Sequence, residues 1–342
     1  MLVLLKSDAY GHSLKVIAQE LDSLPSSARL HGFGVANVEE GIELRRLRVS
    51  RHVYVLSGIQ NVDDDMVRCL KTCNLIPVIS SLHALQQLCK ALRGGSQLVH
   101  LKFNTGMNRL GIDIEEVPVA LRMLKRNPNV QVEGLMSHYA MAEEIGSSLT
   151  KYQTKNFRAI QQLFQKNQFH PKFLHLENSA GIWNDCFPEG NIVRAGLHLY
   201  GIGQPELMPV AKWTAQVYQI RSLKKGATVG YGARFRAKKA MRMAVLGVGY
   251  GDGYRRALSN RADVLIHGKR CPVIGSVSMD LTAVDISALD SISTKSRAVL
   301  MGRDGEQEVR AEELASHANC IPWEIVTGIS PRVPRSFIHG RT

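Results

Sequence analysis

Residues 30–58 read LHGFGVANVEEGIELRRLRVSRHVYVLSG. Two apolar runs of strand length, LHGFGVA from Leu30 and VYVLSG from Val53, flank a stretch of helical periodicity, NVEEGIELRRL. Asn37 is placed to cap that helix, and Glu40 sits where a capping box takes an acid. Near-continuous apolar runs suit parallel strands covered on both faces, and parallel neighbours need a crossover between them.

The same unit recurs on either side. LVLLKSD at Leu2 comes before it, and LIPVIS at Leu75, LVHLKFNTG at Leu98, VEGLMSHYA at Val132, FLHLENS at Phe173 and IVRAGLHLYG at Ile192 follow. Amphipathic helix patterns lie between, the longest being SLTKYQTKNFRAIQQLFQKN. Eight alternating units predict an α/β fold, a TIM-type (β/α)8 barrel over residues 1–208. After the eighth strand the chain runs into GQPELMPVAKW, which reads as a linker. The helix covering the seam between last and first strands is therefore expected from residues ahead of Met1. From about Val210 strand and turn signals dominate: WTAQVYQIRSL, AVLGVGYGDGY, VLIHGKRCPVIG around a tight turn at His267–Gly268, and TAVDIS. This predicts a mostly β domain over residues 209–342, with one short helix, AEELASHAN, from Ala311.

Composition narrows the function. With 342 residues, 44% hydrophobic and 21% charged, the chain reads as folded and larger than one small core. It holds no apolar run long enough to span a bilayer, and MLVLLKSDAYGH shows neither basic leader nor cleavage pattern. The six cysteines have no Cys-x-x-Cys spacing and read as small buried hydrophobes of a reduced, cytoplasmic protein. A net charge of +13 raises nucleic acid as a partner. The basic residues are scattered (Arg45, Arg46, Lys224, Lys225, Lys238, Lys239, Arg255, Arg256), with no aromatic interleaving and no zinc-finger pattern. A basic surface around a pocket for small anions is the better reading, and neither nucleic acid nor membrane is expected as a partner.

In such a barrel the active site lies at the C-terminal ends of the strands. Lys6 ends the first strand, Arg109 follows the fifth within NTGMNRLG, and His138 ends the sixth. His175, Asn178 and Ser179 end the seventh, and Arg194 lies in the eighth. Singly, each is a common structural residue. Together they suit a phosphate-bearing carbonyl compound, with the lysine as nucleophile and the others as anchors. No Walker A loop, no G-x-G-x-x-G after a strand and no H-E-x-x-H is present, and no metal is expected. Gly247, Gly249, Gly251 and Gly253 alternate through a segment that is either a tight turn or a loop projecting Tyr250 and Asp252.

KSDAYGH at Lys6–His12 resembles the K-x-D-A-Y-G-H-G segment of the alanine racemases, and LKFNTGMNRLG resembles their D-T-G-M-x-R-L-G. SHYAMAE, HLENSA, VRAGLHLYG, GVGYGDGY, GSVSMD and PRVPR match further blocks in order. The resemblance covers nearly the whole chain. It implies a homodimer with shared active sites, pyridoxal 5'-phosphate as cofactor and alanine as substrate, supplying D-alanine for peptidoglycan. By position it implies Lys6 as cofactor lysine and one base, and Tyr250 from the other subunit as the opposing base. Arg194 faces the pyridine nitrogen and His175 supports it, while His138 lies beside the ring. Tyr10, Ser179 and the backbone at Gly196 and Leu197 hold the phosphate. Arg109 and the backbone at Met279, the latter from the other subunit, meet the substrate carboxylate. Lys102 matches a lysine that is often carbamylated, which would fix Arg109.

Racemisation needs a base on each face of a planar carbon. Lysine and tyrosine, each near 10 when unperturbed, must be lowered by neighbouring cations. An arginine at the pyridine nitrogen, with a pKa above about 12, keeps its proton and moderates the electron sink. The chain departs from the family pattern in three places. It begins five residues before Lys6, Ser276 replaces the arginine of G-R-V-S-M-D, and Pro331 stands where some members place a phosphate-binding tyrosine. The alternatives are a racemase for serine or for a broad range of amino acids, or a non-catalytic pyridoxal-phosphate carrier. Carriers usually lack the second domain, so GVGYGDGY argues against that reading.

Overall fold

The structure, a computed structural model, describes residues 1–338 apart from Gln60 and Arg93. It contains two compact units: Met1–Ala9 with Ser13–Leu199, and Tyr10–His12 with the residues from Tyr200 onward.

The first unit is a nearly closed barrel of parallel strands, β1 (Leu2–Leu4), β2 (Gly32–Val35), β3 (His52–Val55), β4 (Leu75–Ile79), β5 (Gln97–Lys102), β6 (Val130–Met136), β7 (Phe173–His175) and β8 (Arg194–Ala195). They pair in the order β7-β6-β5-β4-β3-β2-β1-β8, with Leu2 opposite Arg194. The eight expected strands are thus present. β2 and β4 are buried at every position, as an apolar run covered on both faces must be. Among the described residues no ladder joins β7 to β8. Single backbone bonds from Asn191 to Leu174 and from Arg194 to Glu177, each 3.3 Å, cross that gap.

The crossovers are α2 (Leu14–Asp22), α3 (Val38–Arg46), α4 (Asp64–Thr72), α5 (Leu82–Ala91), α6 (Val117–Arg126), α7 (Ser148–Lys166) and the short α8 (Ser179–Trp183). A 3-10 turn, Leu197–Tyr200, follows β8. Asn37 caps α3 as expected, its side chain accepting from the Glu40 amide at 2.9 Å. Glu40 does not complete the expected capping box. Its carboxylate accepts instead from the amides of Ala36 and Ser7, each at 2.7 Å, so both of its oxygens are engaged elsewhere.

Ser7 belongs to α1 (Lys6–Gly11), a helical turn of the opposite hand. Ser7, Asp8, Ala9 and Tyr10 have φ between 52° and 55°. L-residues disfavour this region by roughly 1–2 kcal/mol each, so surrounding contacts must hold it. Those contacts are the Glu40–Ser7 bond and a second from the Leu14 amide to the Asp8 carboxylate at 2.6 Å.

The second unit is mostly antiparallel. Its main sheet runs β14 (Lys269–Pro272), β13 (Asp263–Ile266), β16 (Arg297–Asp304), β9 (Trp213–Leu223), β12 (Met241–Leu246) and β15 (Thr282–Asp285), with β17 (Gln307–Val309) on β16 and a small pair, β10 (Thr228–Val229) with β11 (Phe235–Arg236). The β13–β14 turn is the tight one expected. His267 and Gly268 both have positive φ, 51° and 72°, as two-residue hairpins prefer. The expected helix is α9 (Ala311–Ala318), and a second, α10 (Pro322–Thr327), adds to it. Among the described residues no helix is long and apolar enough to cross a membrane.

Candidate active site

Lys6 follows β1 and begins the left-handed turn. Burial, then Arg109 and Arg194, lower its ammonium pKa, and Glu40 alone pulls the other way. Lys102, buried at the end of β5, is also lowered, to about 8, by burial and then by Arg194, Arg109 and Lys6. Four cations therefore share one end of the barrel, and the two arginines disfavour protonation of the two lysines. An anion bound among them would relieve that repulsion, which is the electrostatic fit expected of a phosphorylated, carboxylate-bearing ligand.

Arg109 sits in a loop shaped by Asn104. Oδ1 of the Asn104 side chain accepts from the backbone amides of Gly106 and Asn108 at 3.2 and 3.0 Å, and its Nδ2 donates to the Asp113 carboxylate at 2.8 Å. The loop returns to β5 through a bond from the Ile112 amide to the Lys102 carbonyl, 2.8 Å.

Arg194 is 1% exposed, and its guanidinium is surrounded by acceptors. Nη1 donates to Nδ1 and the carbonyl of His175, both at 3.0 Å. Nη2 donates to the carbonyls of Ser137 and Leu176 at 2.7 and 2.9 Å and to Nδ1 of His138 at 3.1 Å. The sequence reading held its pKa above 12. Burial lowers it to about 9, with Glu177 the opposing charge, because the acceptors around it are carbonyls and neutral rings. It remains a cation at neutral pH. Burial holds His138 and His175 well below the ordinary histidine value, so both are neutral.

Ser179 opens α8, and its hydroxyl accepts from the Gly196 amide at 3.0 Å, bringing it to the start of the 3-10 turn at Leu197. The barrel unit thus gathers Lys6, Lys102, Arg109, His138, His175 and Arg194 electrostatically, and joins Ser179 to Gly196. Tyr10, Tyr250 and Met279 belong to the second unit. Burial pushes the Tyr10 phenol up to about 12. Tyr250 is 43% exposed and Met279 54%. Their turns are tied together, since the Tyr250 amide donates to the Ser278 carbonyl at 3.0 Å and the Gly251 amide to that of Met279 at 2.8 Å. Gly249 permits this approach, because a Cβ there would lie 2.2 Å from the Ser278 oxygen. Arg332 fastens both turns, donating to Asp252 at 2.8 Å and Asp280 at 2.7 Å. Ser276 is buried and donates to the Tyr231 carbonyl at 2.9 Å.

Sequence reasoning missed Glu40 as a clamp, Arg332 as a fastener, and His100 and Glu133 behind His175. A signal existed for His100, which lies two residues before Lys102 and so shares its face of β5. Among the described residues no group of three or more His, Cys, Asp or Glu is arranged to hold a metal ion.

Two family models together match nearly the whole chain. The alanine racemase N-terminal domain model matches residues 1–204, and the C-terminal domain model matches residues 210–337. An alanine racemase of Geobacter sulfurreducens is 34% identical, over 99% of this chain and 90% of that protein. The structure of an alanine racemase from D-cycloserine-producing Streptomyces lavendulae superposes with TM-score 0.90 at 28% identity, covering 99% of this chain and 90% of that one. That of Bartonella henselae, with covalently bound pyridoxal phosphate, gives TM-score 0.85 at 27% identity, covering 98% and 92%.

Proposed function

We propose, from the premise that the chain belongs to the alanine racemase family, that it interconverts L- and D-alanine by a two-base mechanism with pyridoxal 5'-phosphate. The observation that carries this is Lys6, an amine whose pKa is lowered by burial, Arg109 and Arg194 at the C-terminal end of a barrel strand. Pyridoxal phosphate, when bound, supplies the electron sink that makes the α-proton of alanine acidic.

The chain's own residues do the rest. The barrel, residues 1–208, holds the cofactor, and the β domain, residues 209–342, offers Tyr250 to a second copy in a homodimer. Lys6 anchors the cofactor and, as a free amine, exchanges the α-proton on one face. Tyr250 of the second copy exchanges it on the other. Arg109 and the backbone at Met279 orient the substrate carboxylate, which keeps the Cα–H bond aimed at the bases. Tyr10, Ser179 and the amides at Gly196 and Leu197 hold the phosphate. Arg194, kept cationic and braced by His175, would meet the pyridine nitrogen of the bound cofactor, and His138 would support its ring. Lys102, at about 8, has enough neutral amine to take up carbon dioxide, and the resulting carbamate would brace Arg109. The reaction is assigned to the cytoplasm, supplying D-alanine for peptidoglycan, with no nucleic-acid or membrane partner.

Borohydride reduction of the cofactor-loaded protein, followed by peptide mapping, should find the pyridoxyl group on Lys6. A label on another lysine overturns the assignment. Racemisation assays on alanine and serine side by side should favour alanine, and a preference for serine would replace the substrate.

A further inference from the structure

Behind Arg194 a line of hydrogen bonds runs through the barrel interior toward the N-terminal ends of the strands. Nε2 of His175 lies 2.7 Å from Nδ1 of His100, and Nε2 of His100 lies 3.2 Å from Oε2 of Glu133. The Tyr54 hydroxyl donates to the same carboxylate oxygen at 3.1 Å, and Nε2 of His31 is 2.8 Å from that hydroxyl. His100 and His175 are both fully buried, their rings edge to face with centroids 4.8 Å apart. A bulge in the β5–β6 register sets His100 opposite Gly134, where a Cβ would come within 2.7 Å of the His100 ring.

Arg194 at one end and Glu133 at the other fix the protons on the two histidines between them. A guanidinium only donates, so Nδ1 of His175 accepts and its proton is on Nε2. That proton points at Nδ1 of His100, which therefore accepts, leaving the His100 proton on Nε2 and directed at Glu133. An ionised carboxylate only accepts. Burial pushes the Glu133 carboxyl up, but hydrogen bonds from His100 and Tyr54 outweigh it and leave the pKa below its ordinary value. Burial lowers both imidazoles, so each carries one proton at neutral pH. The opposite tautomers would aim Nδ1–H of His175 at the Arg194 N–H, donor against donor at a fully buried ring.

We propose that Glu133 is a positioning residue for Arg194, fixing the tautomers of His100 and His175 so that His175 presents a lone pair to the guanidinium. The tautomer assignment stands on the hydrogen-bond line and the burial of its histidines, not on the cofactor. Its effect on catalysis rests on the reading that Arg194 faces the pyridine nitrogen.

Neutron diffraction of the deuterated holoenzyme reads the protons directly. Deuterium on Nε2 of both His100 and His175 is expected, and deuterium on Nδ1 of either ring overturns the proposal without any variant. Glu133→Gln keeps an acceptor toward His100, so racemisation should stay within about twofold of the parent. Glu133→Leu removes it, and kcat should fall roughly tenfold with KM little changed and a larger share of transamination product. Equal kcat and product ratio in the Leu and Gln variants would sink the positioning role. Arg194→Lys separates the two readings. If its product ratio matches the parent's, the placement of Arg194 at the pyridine fails while the tautomers stand.

Discussion

The carboxylate of Glu40 accepts the Ser7 amide at 2.7 Å, so a side chain of α3 holds the first left-handed residue after Lys6. The other carboxylate oxygen holds Ala36, at the end of β2, which ties the turn to the neighbouring strand. Lys6 is therefore aimed by a segment that does not favour its own conformation and is kept there by two acids, Glu40 from α3 and Asp8 within the turn. Glu40→Ala should destabilise the fold by about 2 kcal/mol, the scale of bonds to a charged acceptor. Because Glu40 raises the Lys6 pKa, its loss should also lower that pKa further. Melting curves and a pH titration of the cofactor absorbance would check both, and an unchanged Lys6 titration would remove Glu40 from the site.

Tyr250 carries the second base in the proposed mechanism. Tyr250→Phe should cut racemisation by at least about a hundredfold while cofactor absorbance persists. Mixing it with Lys6→Ala protein should restore part of the activity, since one of the two sites in a mixed dimer is then intact. No recovery after demonstrated subunit exchange would mean that each chain supplies its own tyrosine.

Lys102 gives a pH dependence with a defined sign. In the folded chain it titrates near 8, below the 10.5 of an unperturbed lysine, so the unfolded chain binds more protons between those values. Stability should rise with pH across that window, by an amount on the order of 3 kcal/mol if this were the only group titrating. Urea unfolding in bicarbonate-free buffer should show a steeper rise for the parent than for Lys102→Met. Parallel curves would show that the folded chain holds the Lys102 proton as readily as the unfolded chain does, and would remove the burial effect from this position.

Gly134 is the space the His100 ring occupies. Gly134→Ala should cost about 1–3 kcal/mol by overpacking. It should also disturb His100, which the histidine signals in a nitrogen NMR spectrum would report. A neutral substitution would mean that the ring has room to move.

The barrel strands were legible because strands buried on both faces become apolar runs, and LIPVIS and LHGFGVA need little context to be read. The left-handed turn was not. Ser7, Asp8, Ala9 and Tyr10 include no glycine, so no residue type there marks a positive φ, and the conformation is held in part by Glu40 from another part of the chain. Polar strand ends such as Lys6 and Arg194 stood out against apolar neighbours. The hydrogen bonds from His175 to Glu133 join three strands, and no spacing in the sequence encodes such a path.

Arg194 joins what the backbone leaves apart. β7 and β8 share no ladder among the described residues, yet the Arg194 guanidinium, carried by β8, grips the carbonyls of His175 and Leu176 at the end of β7 and that of Ser137 beyond β6. A side chain thus serves as the buckle of the hoop. Evolution cannot retune the charge at this position without loosening the belt, which places an electronic and a mechanical constraint on the same residue.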